Sequence, residues 1–239
     1  LKMKSKTIDL VVTSPPYNII RPNSTDRGYD LYKDGMSNEE YIDWTLEIFK
    51  GFNKVLKKNA IVLYNMSYGT ENTTLMSLVV ADIIRKSDFT LADIIVWKKN
   101  TATPNNVSHN KMTRIIEYVY VFCRKDEFHT FNCNKKELSK RETGQSVYEN
   151  VFNFITAKNN DESTDLNKAT FSTEFVRKLI FTYAKDNSLI YDPFMGTGTT
   201  AVACVIDGHS YVGSEISKEQ CDYAEKRIKP FTSQIKMFS

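Results

Sequence analysis

Short apolar runs rich in β-branched residues alternate with amphipathic helical patterns along nearly the whole chain, and that alternation points to an α/β sheet. The first run, Ile8–Thr13 (Ile-Asp-Leu-Val-Val-Thr), is stopped by two prolines, as expected of a buried parallel strand. From Ser37 the period changes. Ser37 reads as an N-cap with Glu40 as its capping-box partner, and apolar residues then recur at helical spacing from Tyr41 to Leu56. Residues 60–64 read as a strand, Thr73–Lys86 as a helix, and 91–97 and 115–123 as two strands around a polar loop at 100–113. Helices over 171–185, 200–207 and 218–229, with a strand over 188–191 and a strand edge at 211–213, complete the pattern. Residues 124–167 are long, polar and weakly periodic, which predicts a functional insertion rather than a plain connection.

Composition removes several classes of function. With 239 residues, 41% hydrophobic and 26% charged, the chain can bury a sizeable core and is not disordered; we expect one domain over 1–239. No run approaches the roughly eighteen apolar residues of a membrane helix, and the first residues carry no targeting pattern, so no membrane role is expected. Cys123, Cys133, Cys204 and Cys221 show no Cys-x-x-Cys spacing; they predict small apolar residues in a reducing compartment, without disulfides or a metal site.

The net charge of +3 decides little, but its distribution is uneven. From Lys98 to Arg141 there are ten Lys and Arg against four acids, interleaved with Tyr118, Tyr120, Phe122, Phe128, His129 and Phe131. Such a segment fits either a surface that tracks phosphates and stacks on bases, or a solvated strand pair with lysines on its edges.

Glycine is scarce, nine in all, yet Gly196, Gly198, Gly208 and Gly213 fall close together. Asp192-Pro193-Phe194-Met195-Gly196-Thr197-Gly198-Thr199-Thr200 follows a strand and opens a helix, where glycines let the backbone turn tightly and approach a ligand. Glu215, at the end of the next strand, is placed to accept the hydroxyls of a ribose. No Gly-Lys-Ser/Thr closes the loop, so it is not a phosphate-binding P-loop. Taken alone, the loop equally fits a tight turn without ligand.

A second loop, Ser14-Pro15-Pro16-Tyr17, directly follows the first strand. Its prolines stiffen the backbone and leave the carbonyls of Ser14 and Pro15 as acceptors beside the flat ring of Tyr17. That arrangement suits a planar amino-heterocycle; the bare alternative is a rigid turn with a packed tyrosine.

The two loops together resemble those of the S-adenosylmethionine-dependent DNA amino-methyltransferases. Their permuted order, Ser-Pro-Pro-Tyr first and Asp-Pro-Phe-x-Gly-x-Gly last, resembles the β class of that family. The resemblance implies a Rossmann-like fold: a mostly parallel, doubly wound sheet with an antiparallel edge hairpin. It implies that Ser14, Pro15, Pro16 and Tyr17 form the target-base pocket. It further implies that Asp192, Pro193, Phe194, Gly196, Gly198 and Thr199 line the S-adenosylmethionine site, with Glu215 on the ribose. Thr170 and Phe171, closing a stretch that begins at Leu166, are similar to a further cofactor motif. Trp97-Lys98 also resembles a family feature and equally fits a core Trp with a Lys reaching to solvent.

The implied target-recognition insertion lies within 99–167, with Arg21, Arg27 and the 100–113 loop as further candidates for contact with double-stranded DNA. The family setting also implies a cytoplasmic, nucleoid-associated protein, a cognate restriction endonuclease and a homodimer as candidate partners. One departure stands out. The family usually has another strand upstream with an acid near the cofactor adenine, and only seven residues precede Ile8; either that piece is missing or the adenine pocket is built differently, with 236–238 as one candidate strand.

The expected reaction is methylation of N4 of cytosine, toward which Ser before Pro-Pro-Tyr leans, with N6 of adenine as the alternative. None of the four cysteines follows a proline, which disfavours ring-carbon methylation through a thiolate. A nucleic-acid-binding module without cofactor, and an RNA or protein methyltransferase, remain the readings from other classes.

Overall fold

The computed structural model describes residues 3–18, 35–67, 73–102, 109, 112–161 and 170–235. Arg21, Arg27, most of the 100–113 loop, Leu166 to Ala169 and 236–238 lie outside the described residues. The elements in chain order are β1 (Ile8–Thr13), α1 (Asn38–Val55), β2 (Leu56–Met66), α2 (Thr73–Lys86), β3 (Phe89–Lys99) and β4 (Ile116–Arg124). After a 3₁₀ turn (Lys125–Thr130) come β5 (Glu137–Lys140), β6 (Ser146–Tyr148), β7 (Phe154–Ala157), α3 (Thr173–Tyr183), β8 (Leu189–Asp192), α4 (Thr199–Ile206), β9 (Ser210–Gly213) and α5 (Lys218–Ile235).

Seven strands form one sheet in the order β7-β3-β4-β2-β1-β8-β9, and β5 with β6 forms a separate antiparallel pair. Within the seven, only β4 runs against its neighbours, pairing antiparallel with both β2 and β3. The β3–β4 hairpin stands toward one end of the sheet, with the short β7 parallel to β3 beyond it. β1 pairs in parallel with β2 on one side and β8 on the other, so the loops leaving β1 and β8 emerge side by side. In an open α/β sheet the crevice beyond the strand C-termini, where the order reverses, is where ligands bind.

Strand alternation divides the core between two faces. On β1, Leu10 and Val12 pack with Phe175, Val176, Leu179 and Ile180 of α3, and Cys204 of α4, while Val11 joins Tyr41, Phe49 and Phe52 of α1 and Val79 of α2. Phe49 is the hub of the second face, with Phe52, Tyr64, Phe89 and Phe122 edge-on around it at 5.2–5.4 Å. Trp97 is a core residue: it is buried and stacks on Phe175 at 4.1 Å.

The capping box is formed as read, with the Glu40 N–H donating to Ser37 Oγ at 3.2 Å and the Ser37 N–H to Glu40 Oε2 at 2.8 Å. β2 starts four residues earlier than its apolar run suggests, because Lys57, Lys58 and Asn59 form its solvent-exposed entry. Residues 124–167 are more ordered than their composition suggests, holding the 3₁₀ turn, the β5–β6 pair and a strand that returns to the main sheet.

Candidate active site

The turn between β8 and α4 is shaped by its glycines. Gly196 and Gly198 both have positive φ, 52° and 85°, and Gly198 is the N-cap of α4. A Cβ on Gly198 would lie 2.7 Å from the Cβ of Ala224, so this glycine serves the left-handed turn and the close approach of α5. The Gly196 N–H donates to Glu215 Oε2 at 2.8 Å, and Glu215 Oε1 accepts the N–H groups of Ile216 and Ser217, each at 2.9 Å. Glu215 is thereby fixed between the two loops that follow β8 and β9.

Asp192 is fully buried, behind the residues that line the cavity. Its Oδ1 accepts from Thr13 Oγ1 at 2.7 Å and from the Phe194 N–H at 3.0 Å, and its Oδ2 from Thr200 Oγ1 at 2.6 Å. Burial pushes its carboxyl up to about 6, although these three hydrogen bonds pull the other way. The carboxylate is a brace that ties the end of β1 to β8 and α4.

The Ser-Pro-Pro-Tyr turn lies next to it and is held from a distance. Tyr41 on α1 donates its hydroxyl to the Pro16 carbonyl at 2.7 Å. Asn18 accepts the N–H groups of Gly35 and Met36 at 2.9 Å each and donates to the Met36 carbonyl at 2.8 Å, clipping the turn to the approach of α1. Ser14 Oγ and Tyr17 Oη are 2.9 Å apart, and Tyr17 donates onward to Glu117 Oε2 at 3.4 Å. Glu117, buried on β4, is also bonded by Asn65 Nδ2 at 3.1 Å and paired with Lys99. Asn65 Oδ1 is buried there without a hydrogen-bond partner.

A single cavity of about 430 Å³ joins the two turns. Ser14 and Pro16 line it from one side, and Pro193, Phe194, Gly196, Thr199 and Glu215 from the other. Thr170 and Phe171 line it as well. Of the remaining residues singled out, Pro15 is buried, Tyr17 bonds to Ser14 at the cavity, and Asp192 and Gly198 support the glycine turn. Asp192 and Gly198, expected at the cofactor, brace and pack the turn whose other residues line the cavity. Trp44 and Ile216 also line the cavity and were not anticipated; Trp44 sits 5.5 Å from the Phe194 ring and reads in sequence as one more apolar helix residue.

Two of the aromatic residues counted with the basic segment, Tyr120 and Phe122, are core residues and present no face to a ligand. Exposed in and after that segment are Lys125, Phe128 and His129 on the 3₁₀ turn, Lys135, Lys136, Lys140 and Arg141 around β5, and Phe152 and Phe154 beyond β6. Among the described residues no group of His, Cys, Asp and Glu is placed to hold a metal ion, and no helix is long and apolar enough to cross a membrane.

The family model described as DNA methylase, for N6 and N4 methyltransferases, matches residues 8–226. The chain belongs to this DNA methylase family. Its members take the methyl group from S-adenosylmethionine. The chain is similar to the orphan methyltransferase M.BamHII of Bacillus amyloliquefaciens, 27% identical over 94% of this chain and 90% of that protein. It is also similar to the DNA adenine methyltransferase YhdJ of Escherichia coli strain K12, 22% identical over 95% of this chain and 78% of that one. Among solved structures, the cytosine-N4-specific PvuII DNA methyltransferase shares the fold of this methylase, with a TM-score of 0.72 at 18% identity over 98% of this chain and 87% of that chain.

Proposed function

We propose that this methylase acts on the exocyclic N4 of cytosine in double-stranded DNA. The observation that carries the reading is the one cavity that brings Ser14 of the proline turn opposite Phe194, Gly196 and Glu215 of the glycine turn. The lone pair of an aromatic amino group is delocalised into its ring, so the site must localise it. Ser14 Oγ and the Pro15 carbonyl would accept the two amino hydrogens and turn that lone pair toward the methyl group, a matter of positioning and electrostatics. The base must first leave the duplex stack, at a cost of a few kcal/mol.

The residues present fit S-adenosylmethionine. A carboxylate offers about four acceptor positions. Three N–H groups fix Glu215 in place, leaving acceptor capacity for ribose hydroxyls. Pro193, Phe194, Thr199, Thr170 and Phe171 supply the rest of the wall, with Trp44 and Ile216 as apolar cover. The cavity volume lies within the roughly 300–1,000 Å³ of small-molecule sites. When bound, the cofactor supplies a methyl group activated by its sulfonium. We assign target recognition to the 99–167 segment, with the exposed Lys135, Lys136 and Lys140 in and just before β5 toward the phosphates. Its contribution should weaken steeply with salt.

Adenine N6 is the second reading, since a neutral hydroxyl accepts from either amino group and YhdJ is named as an adenine methyltransferase. Incubation of the chain with DNA and methyl-labelled S-adenosylmethionine, followed by nucleoside analysis, decides between them. Label in N4-methylcytosine is the expected result, and label in N6-methyladenine selects the second reading. Label in neither overturns both.

A further inference from the structure

Glu117 lies two strands away from β1, near the start of a strand that is buried from Val119 onward, yet its carboxylate is linked to the cavity through two hydroxyls. A tyrosine hydroxyl carries one proton, and an ionised carboxylate only accepts. With Tyr17 donating to Glu117 Oε2, the 2.9 Å contact between Ser14 and Tyr17 must be donated by Ser14. Ser14 Oγ is then left as an acceptor toward the cavity. The polarity of the whole chain is set by the acid at its far end, which Lys99 and Asn65 hold in place.

We propose that Glu117 is a positioning residue for methyl transfer and the terminal acceptor of a hydroxyl relay running from Ser14 through Tyr17. This rests on the reading of the cavity as an amino-methyltransferase site. As the N–C bond forms and the C–S bond breaks with its electron pair remaining on sulfur, the amino nitrogen carries one proton too many. That proton passes to Ser14 Oγ, the proton of Ser14 to Tyr17 Oη, and the proton of Tyr17 to Glu117 Oε2. The acid formed then releases it to solvent, so the balance needs no further reagent. The longest step, 3.4 Å from Tyr17 to Glu117, is of the kind that tightens in a substrate complex.

The test compares the unaltered chain with E117Q, Y17F and the double variant in single-turnover transfer of labelled methyl from S-adenosylmethionine to DNA. Each is run across pH 5.5–9 and in H₂O and D₂O, beside cofactor affinity by calorimetry and melting temperature. Relay predicts that E117Q and Y17F each slow transfer by about 10²-fold and lose the solvent isotope effect, with cofactor affinity within about twofold. The double variant should be no slower than Y17F alone, because both cut one chain. An E117Q chain at the unaltered rate, additive losses, or a loss of affinity and melting temperature that accounts for the rate overturns the relay. Should E117Q not fold, a solvent isotope effect that survives in Y17F overturns it equally. Transfer by the unaltered chain to neither cytosine nor adenine overturns the functional reading and the relay together, whereas an active E117Q overturns the relay alone.

Discussion

The two turns that face each other across the cavity are built on different principles. The glycine turn takes its shape from groups close to it in sequence, with Asp192 accepting the Phe194 N–H two residues on and the Thr200 hydroxyl eight residues on and α4 starting as soon as the turn ends, while Thr13 and Glu215 tie it to its neighbours. The Ser-Pro-Pro-Tyr turn is held by side chains from elsewhere, Tyr41 at 25 residues and Glu117 at 100. A turn made from backbone conformation and a buried carboxylate is rigid, and its failure should appear as lost stability or lost cofactor. A turn held by hydroxyl groups at its edge should fail as lost turnover in a chain that still folds and binds.

Ser14→Ala puts the largest strain on that contrast. Removing the hydroxyl that lines the cavity should cost about 10²–10⁴-fold in single-turnover methyl transfer, the range for one positioned proton-accepting group, while cofactor affinity by calorimetry stays within about threefold. Equal losses in both would reverse the roles of the two turns. On the opposite side, Gly198→Ala must place a Cβ 2.7 Å from that of Ala224 at a φ of 85°. Left-handed strain and overpacking together should cost about 4 kcal/mol. For a chain of this size that lowers the melting temperature by roughly 8–16 °C. A variant melting as the unaltered chain does would show that the glycine turn is less rigid than its geometry.

Asp192 gives the contrast a pH dependence. Its carboxyl is raised to about 6 in the folded chain, from 3.8. Between those values the folded state keeps a proton that the unfolded state has released. This contribution to stability is therefore complete below about pH 4 and is lost as the pH rises through about 6, a difference of about 3 kcal/mol. Asp192→Asn removes the titrating group, so its stability relative to the unaltered chain should improve by about that amount from pH 4 to pH 7, measured by urea unfolding at each pH. A constant difference would mean that Asp192 titrates alike in both states.

The same contrast explains what could be read from the sequence. Strand β1 and helix α2 were legible to the residue, and the capping box of α1 was visible because its signal is two side chains three positions apart. The glycine turn was legible for the same local reason, although sequence could not say that Asp192 faces Thr13 and Thr200 rather than the cavity. The ordered elements within 124–167 were not, since β5 is exposed along its length and β7 buries only Ala157. Tyr41, a distant support of the proline turn, was hidden too: like Trp44 of the cavity wall, it looks like an ordinary member of an apolar helix face. Glu117 left one signal, an acid inside the run Ile-Ile-Glu-Tyr-Val-Tyr-Val, which a reading for apolar periodicity passes over.

Tyr41→Phe is the smallest perturbation and the sharpest one. The ring stays in the core beside Trp44, and only the hydroxyl that donates to the Pro16 carbonyl at 2.7 Å is removed. The lost bond to a buried carbonyl should cost about 1–2 kcal/mol of stability. Because that carbonyl belongs to the turn that carries Ser14, the transfer rate should fall several-fold while cofactor affinity is unchanged, read from single-turnover kinetics and calorimetry on one preparation. Proline fixes φ but leaves ψ free, so two prolines alone do not determine where the turn points. A Tyr41→Phe chain with undiminished transfer would show that they suffice here, and the distinction between a turn fixed locally and a turn held from afar would fail at its most direct contact.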